Sequence, residues 1–165
     1  MNHPPIPMTT TPASPAPSSA TRVVLRPTVD PAALSPGTPL PGWEHRFTEV
    51  DLVAYGAATW DWHRVHYDLA YAKSRKLPGV LIDGQVYGAI FAKLATRWAG
   101  PGAFLSGMGL KMRSMAFAGD TLRAEGEVRS VESLASGDQV QLSQRLLCGD
   151  RLIAEALTTL RFAKR

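Results

Sequence analysis

A chain of 165 residues has room for one domain, and its 45% hydrophobic content is ordinary for a globular core. The formal charge of +4 suits an anionic ligand or an acidic protein partner. It is too mild to argue for nucleic acid, and no basic run with interleaved aromatics occurs. The single cysteine, Cys148, excludes an intramolecular disulfide framework and a cysteine-based zinc cluster, and it fits a reducing cytoplasm.

Read in chain order, the first segment is proline-rich. Eleven of the thirteen prolines fall in residues 1–42. A Pro/Ser/Thr/Ala tail buries too little apolar surface to offset its ordering. Residues 1–41 are therefore expected to form a largely disordered tail and residues 42–165 the folded domain. Within the tail, 22–30 is apolar enough to touch the domain loosely. The opening stretch has no apolar core of the secretory kind, and no later segment is long and apolar enough to span a membrane.

From Trp43 the pattern tightens. WEHRFT reads as a short strand. Thr48 followed three residues later by Asp51 predicts a capped helix over 49–59, with Val50, Val53, Ala54, Ala57 and Ala58 at helical spacing. A short helix is predicted over 68–77, stopping at Pro78-Gly79. Residues 85–99 predict a buried helix of ~22 Å, apolar on most faces until Lys93 and Arg97. Four runs with partial alternation follow, at 103–117, 121–133, 139–148 and 151–163. Gly-Asp pairs at their connections predict hairpins. One long helix against a mostly antiparallel sheet is an α+β layout.

The densest chemistry lies in WDWHRVHYD, Trp60 to Asp68, which holds two histidines and two aspartates among aromatic side chains. Asp61 and His66 stand five residues apart. Asp68 follows, and Gly84 opens the long helix eighteen residues beyond His66. FAGDTL occupies 117–122. These features, in this order, resemble the MaoC-like family of hydratases and dehydratases, which includes the (R)-specific enoyl-CoA hydratases. The resemblance runs from about Gly37 to the C-terminus. It implies a single hotdog domain, an antiparallel sheet wrapped around a long central helix. It also implies that Asp61 and His66 form the acid/base pair, that the Gly84 N–H receives an oxyanion, and that His63, at a position where the family carries Asn, is a substrate-binding residue whose ring donates to water or to Asp61. The substrate would be an acyl-CoA or acyl-carrier thioester, with no cofactor and no metal. Hotdog sheets usually pair edge to edge, so a homodimer is expected, or a heteromer with another hotdog subunit. Neither nucleic acid nor membrane is expected as a partner, and the expected compartment is the cytoplasm.

The chemistry fits the residue types. Adding water to an α,β-unsaturated thioester requires water to lose a proton as it attacks C3, while C2 gains one. A carboxylate and an imidazole flanking one water can do both. Negative charge on the thioester oxygen suits a backbone N–H at a helix N-terminus. Besides His63, two positions depart from the family pattern: Arg64 stands at a usual proline, and Asp83 at the usual histidine before the glycine. Asp83 would either cap the helix or face the oxyanion site, and the suitability of Asp at a helix start favours the cap.

Other readings stay open at this level. Asp61 and His66 also read as a structural ion pair. His63, His66, Asp61 and Asp68 are compatible with metal ligation. Trp60, Trp62 and Tyr67 read as core and dimer packing before they read as a substrate platform. Gln85 and Tyr87 read as helix packing before tunnel lining, and Cys148 as a structural thiol. A non-catalytic subunit that binds acyl thioesters is the alternative function. A hotdog thioesterase is less favoured, since that chemistry commonly places a carboxylate within the central helix and 85–99 contains no Asp or Glu.

Overall fold

The computed structural model describes residues 28–163. Its elements are β1 (Trp43–Arg46), α1 (Glu49–Thr59), α2 (Leu69–Ser74), α3 (Gly84–Ala99), β2 (Ala103–Met112), β3 (Thr121–Leu134), β4 (Gly137–Cys148) and β5 (Arg151–Ala163). The strands form one sheet in the order β1-β3-β4-β5-β2, with every neighbouring pair antiparallel. Register shifts at Leu105/Gly107, Val128/Ser130 and Leu146/Leu147 mark bulges, which add local twist and let the sheet curl. The sheet wraps around α3, giving the α+β hotdog arrangement.

The core explains the arrangement. Val86, Tyr87, Ile90, Phe91, Leu94, Ala95 and Ala99 form a buried stripe along α3. Opposing it are alternate residues of β4 and β5, including Val140, Leu142, Leu146, Ala154, Ala156 and Leu160. Burial pushes the Tyr87 hydroxyl up to about 12, so it stays neutral in the core. The opposite face of α3, with Gln85, Ala89, Lys93, Thr96 and Arg97, is exposed. The helix is thus amphipathic rather than apolar on most faces. One polar tie crosses the core. The Gln144 amide donates to the Phe91 carbonyl at 3.0 Å, and the Thr158 hydroxyl donates to Gln144 Oε1 at 2.6 Å. Both Gln144 groups are satisfied, so this buried pair fixes α3 against the sheet without an orphaned polar atom.

Several expectations change. The boundary at residue 42 falls inside packed chain. The Leu40 N–H donates to the Gly126 carbonyl and the Gly37 N–H to the Val128 carbonyl, both at 2.8 Å, and Leu40 belongs to the core. Pro39 and Pro41 lie in a segment that runs along a sheet edge, where a missing N–H is tolerated. Farther back, the Val29 N–H reaches the Ala99 carbonyl, and Thr28 Oγ1 accepts from the Gly102 N–H. Of the largely disordered tail expected over residues 1–41, residues 1–27 lie outside the described residues. The run 103–117 ends as a strand at Met112, because the Arg113 and Ser114 N–H groups converge on one carbonyl, that of Ile153. α2 stops at Ser74, short of Pro78. Trp60, Trp62 and Tyr67 are exposed, not core, in this protomer.

Candidate active site

Asp61 is positioned by the end of α1. The capping box at its start is formed: Thr48 accepts from the Asp51 N–H, and the Asp51 carboxylate accepts from the Thr48 N–H at 2.7 Å. The Thr48 hydroxyl, which also donates to this carboxylate at 2.7 Å, and then the Thr48 N–H hold the Asp51 carboxyl below the usual carboxylate range. At the other end, Trp60 turns the chain in the left-handed region, with φ 62°. The chain then folds back over Gly56, where an added Cβ would lie 2.9 Å from the Asp61 carbonyl oxygen. The reversal therefore needs glycine at 56. Asp61 Oδ1 accepts the His63 N–H at 3.1 Å, and Asp61 Oδ2 lies 3.4 Å from the Gln85 amide nitrogen.

His66 closes a short 3-10 turn, Arg64–His66. Its Nδ1 lies 2.8 Å from the Leu81 carbonyl. A carbonyl only accepts, so Nδ1 carries the hydrogen and Nε2 holds the lone pair of the neutral ring. Leu81 is itself fixed by donating to the Val65 carbonyl and by an isolated bridge to Phe117. The FAGDTL segment anchors that bridge. Asp120 Oδ2 accepts the Phe117 N–H at 3.0 Å, Gly119 takes φ 98°, and the Gly119 N–H donates to the Phe47 carbonyl. This turn is structural support for the loop before α3.

Asp68 does not join the site. One of its oxygens caps α2 through the Tyr71 N–H at 2.9 Å, and the other takes Arg64 at 2.7 Å. The Tyr71 N–H, then Arg64, holds its carboxyl below the usual range. Arg64 also lies over the Tyr71 ring, 4.4 Å from its centroid, so the residue at the usual proline braces the motif loop. The His63 ring is exposed, 6.0 Å from the His66 ring and 6.2 Å from that of Tyr71, while its backbone N–H braces Asp61. The four-residue metal set built on His63 and Asp68 is therefore not assembled.

A different group is assembled. Asp61, His66 and Asp83 each present one polar atom within 4.8 Å of the others. Asp83 caps α3, with Oδ1 accepting the Gln85 N–H at 2.8 Å and its carbonyl accepting the Val86 N–H. Its Oδ2 is buried and has no hydrogen-bond partner among the described residues. The cap leaves the Gly84 N–H, at the first position of α3, without an acceptor among the described residues. Gly84 needs no left-handed backbone; an added Cβ would instead meet Met112, 2.6 Å from Sδ and 2.8 Å from Cε. Tyr55 completes the surroundings. Burial, then the charges of Asp83 and Asp61, raise its hydroxyl above its ordinary range. The sequence reading missed Tyr55, which carries no motif signal, and took Gln85 for packing although its amide reaches Asp61.

This arrangement places two carboxylates and an oriented imidazole at the start of a helix whose first N–H is open. It can move protons and receive developing negative charge in one place. A family model for the MaoC-like domain matches residues 32–146, and the chain belongs to that family. Comparison with curated protein sequences returns no significant match. Among solved structures, the chain is similar to R-hydratase PhaJ1 from Pseudomonas aeruginosa, at 26% identity and TM-score 0.73, covering 84% of this chain and 88% of that one. It is also similar to the (R)-hydratase from A. caviae involved in PHA biosynthesis, at 22% identity and TM-score 0.71, covering 79% and 98%. The ChsH1-ChsH2 complex from Mycobacterium tuberculosis matches at 24% identity and TM-score 0.67, covering 78% and 98%. Structural relatives thus include both hydratases and a complex of two differently named chains.

Proposed function

We propose that this protein is a hydro-lyase that reversibly hydrates a trans-2-enoyl thioester, carried on CoA or an acyl carrier, to the (R)-3-hydroxyacyl thioester. The observation that carries this reading is the convergence of Asp61 and His66 beside the open Gly84 N–H. In the forward direction one of the pair takes a proton from water as the oxygen attacks C3. The C2–C3 π electrons move toward the thioester, whose oxygen is held by the Gly84 N–H. The other member of the pair, which carries a proton at the outset of the step, then delivers it to C2. The base has gained one proton and the acid has lost one, and transfer between the two groups restores the resting state. Leu81 keeps the His66 ring oriented with Nε2 available throughout. His63 acts in this scheme through its backbone, by holding Asp61.

The reaction needs only proton transfer and a backbone donor, so no cofactor or metal takes part in the proposal. The protein acts as a dimer of hotdog units in the cytoplasm, where its one free cysteine stays reduced. The test is hydration of crotonyl-CoA and of longer or bulkier enoyl-CoAs, followed at the enoyl thioester absorbance. Asp61→Asn and His66→Gln should each lower the rate ~100-fold or more. The double variant should be little worse than either single, because groups acting as one unit are non-additive. EDTA dialysis should leave the rate unchanged. Near-normal rates in both folded singles would remove the pair from the mechanism. A second reading, favoured by the similarity to the ChsH1-ChsH2 complex, is a subunit that acts only with a different hotdog partner. It predicts an inactive chain alone and activity on adding that partner.

A further inference from the structure

Asp83 has two oxygens with different fates. Oδ1 is committed to the first turn of α3, through the Gln85 N–H at 2.8 Å. Oδ2 has no partner among the described residues and is closed off from solvent, in a residue only 9% exposed. A carboxylate oxygen withdrawn from water without a donor is costly, and native structures seldom leave one so. The cap alone requires one oxygen, which serine or asparagine would supply without the second. The second oxygen therefore calls for a donor that arrives with the ligand. No neighbouring donor reaches it: the Gln85 amide lies toward Asp61 Oδ2, the His66 Nδ1 hydrogen is held by Leu81, and the Tyr55 hydroxyl, which feels the Asp83 charge, makes no hydrogen bond to Oδ2. One oxygen of the Asp83 carboxylate also lies within 4.8 Å of the polar atoms of Asp61 and His66, a span that a single bridging water can cover.

We propose that Asp83 is a third catalytic residue, whose Oδ2 accepts a hydrogen bond from the water that is added. This rests on the hydratase reading. A water molecule has two O–H groups. One proton is transferred to the acid/base pair, and the other stays on oxygen and becomes the hydroxyl hydrogen of the product. Asp83 Oδ2 holds that second hydrogen. With both O–H directions fixed, a lone pair of the water is aimed at C3 before the reaction starts. In the reverse direction the same oxygen grips the 3-hydroxyl as it leaves as water. The carboxylate thus serves the water side of the reaction, and its charge does not have to face the thioester oxygen. One residue joins the helix that supplies the oxyanion N–H to the nucleophile that attacks.

Asp83→Asn tests this directly. Asparagine keeps the shape and the capping oxygen and replaces Oδ2 with an N–H donor. The melting temperature should hold, KM for the enoyl thioester should stay within about twofold, and kcat should fall about ten- to a hundredfold. Asp83→Ser keeps a capping hydroxyl but removes the second oxygen, and it should show the same split. If the Asn variant folds poorly, the Ser variant carries the comparison. Unchanged kcat in a folded variant would overturn the proposal and leave Asp83 as a cap only. A raised KM with unchanged kcat would also overturn it, by showing that Oδ2 binds a donor on the acyl substrate instead. Failure of the underlying reading looks different, since the wild-type protein would then hydrate none of the enoyl thioesters.

Discussion

Gly84 faces two neighbours at once, and they ask for its missing side chain for different reasons. Its N–H has no acceptor among the described residues, while an added Cβ would meet Met112. A methyl group here would first push the Met112 thioether aside, which is a flexible and exposed side chain. Gly84→Ala should therefore cost less than ~1 kcal/mol of stability. It should lower turnover more clearly, because the methyl also narrows the approach to the N–H. Adding Met112→Ala separates the effects. The double variant should regain the melting temperature of the Met112→Ala single but not its turnover. Turnover that recovers with it would place the sensitivity in Met112 packing instead. The residue scale is also where the sequence was least complete. Asp61 and His66 announce themselves by spacing, but the Gln85 amide reaches Asp61 through the fold, from a neighbouring helix. The two candidate roles of Asp83 looked exclusive in the sequence because one residue was assigned one contact. A carboxylate has two oxygens, and the structure gives them different surroundings.

At the scale of elements, the motif loop is held by the ends of helices. α1 delivers Asp61 through the left-handed Trp60, α2 is capped by Asp68, and α3 is capped by Asp83. Gly56 is the contact that ties helix to loop. Replacing it with alanine would favour α1 by ~1 kcal/mol on helix propensity. Its Cβ would nonetheless press the Asp61 carbonyl at 2.9 Å, and that neighbour is backbone, which cannot swing away. Gly56→Ala should therefore change the melting temperature little while turnover falls about tenfold, as the carboxylate moves off its position. Unchanged turnover would show that Asp61 is not placed by this contact. Elements were the most legible level of the sequence. The Thr48–Asp51 capping box and the tight Gly149-Asp150 hairpin are local signals that lie where they are read, whereas Gly119-Asp120 joins β2 to β3, which do not pair, and Gly137-Asp138 opens β4 instead of forming its turn. The ends that moved depend on tertiary contacts. β2 stops where two N–H groups turn onto Ile153, residues 37–40 bond along the edge of β3, and Thr28 and Val29 bond at the far end of α3, to Gly102 and Ala99. Proline content alone cannot register an edge partner.

At the scale of the whole molecule, the sheet has two unequal edges. β1 is four residues long and is extended by the segment around Pro39, so that edge is short and proline-blunted. β2 is ten residues long, contains no proline, and pairs only with β5 among the described residues. Phe104 and Met112, at its two ends, are 70% and 61% exposed. A long edge strand with exposed apolar side chains invites another strand, and solitary proteins generally blunt such edges. β2 also carries Met112 against Gly84, so whatever pairs with it lies near the start of α3. The expected assembly is therefore two copies joined along β2, with the long helices brought together behind the joined sheets. Light scattering on the purified chain should report about twice the 17.8 kDa protomer mass. Lysine at both ends of the strand, Phe104→Lys with Met112→Lys, places like charges in that interface and should shift the protein toward monomer. Turnover should fall in step with the dimer fraction and recover as protein concentration rises, which a purely local effect of Met112 on Gly84 would not do. A wild-type monomer that hydrates enoyl thioesters at full rate would end the dimer reading. A wild-type monomer that gains activity only when a different hotdog chain is added would transfer the β2 edge to that partner.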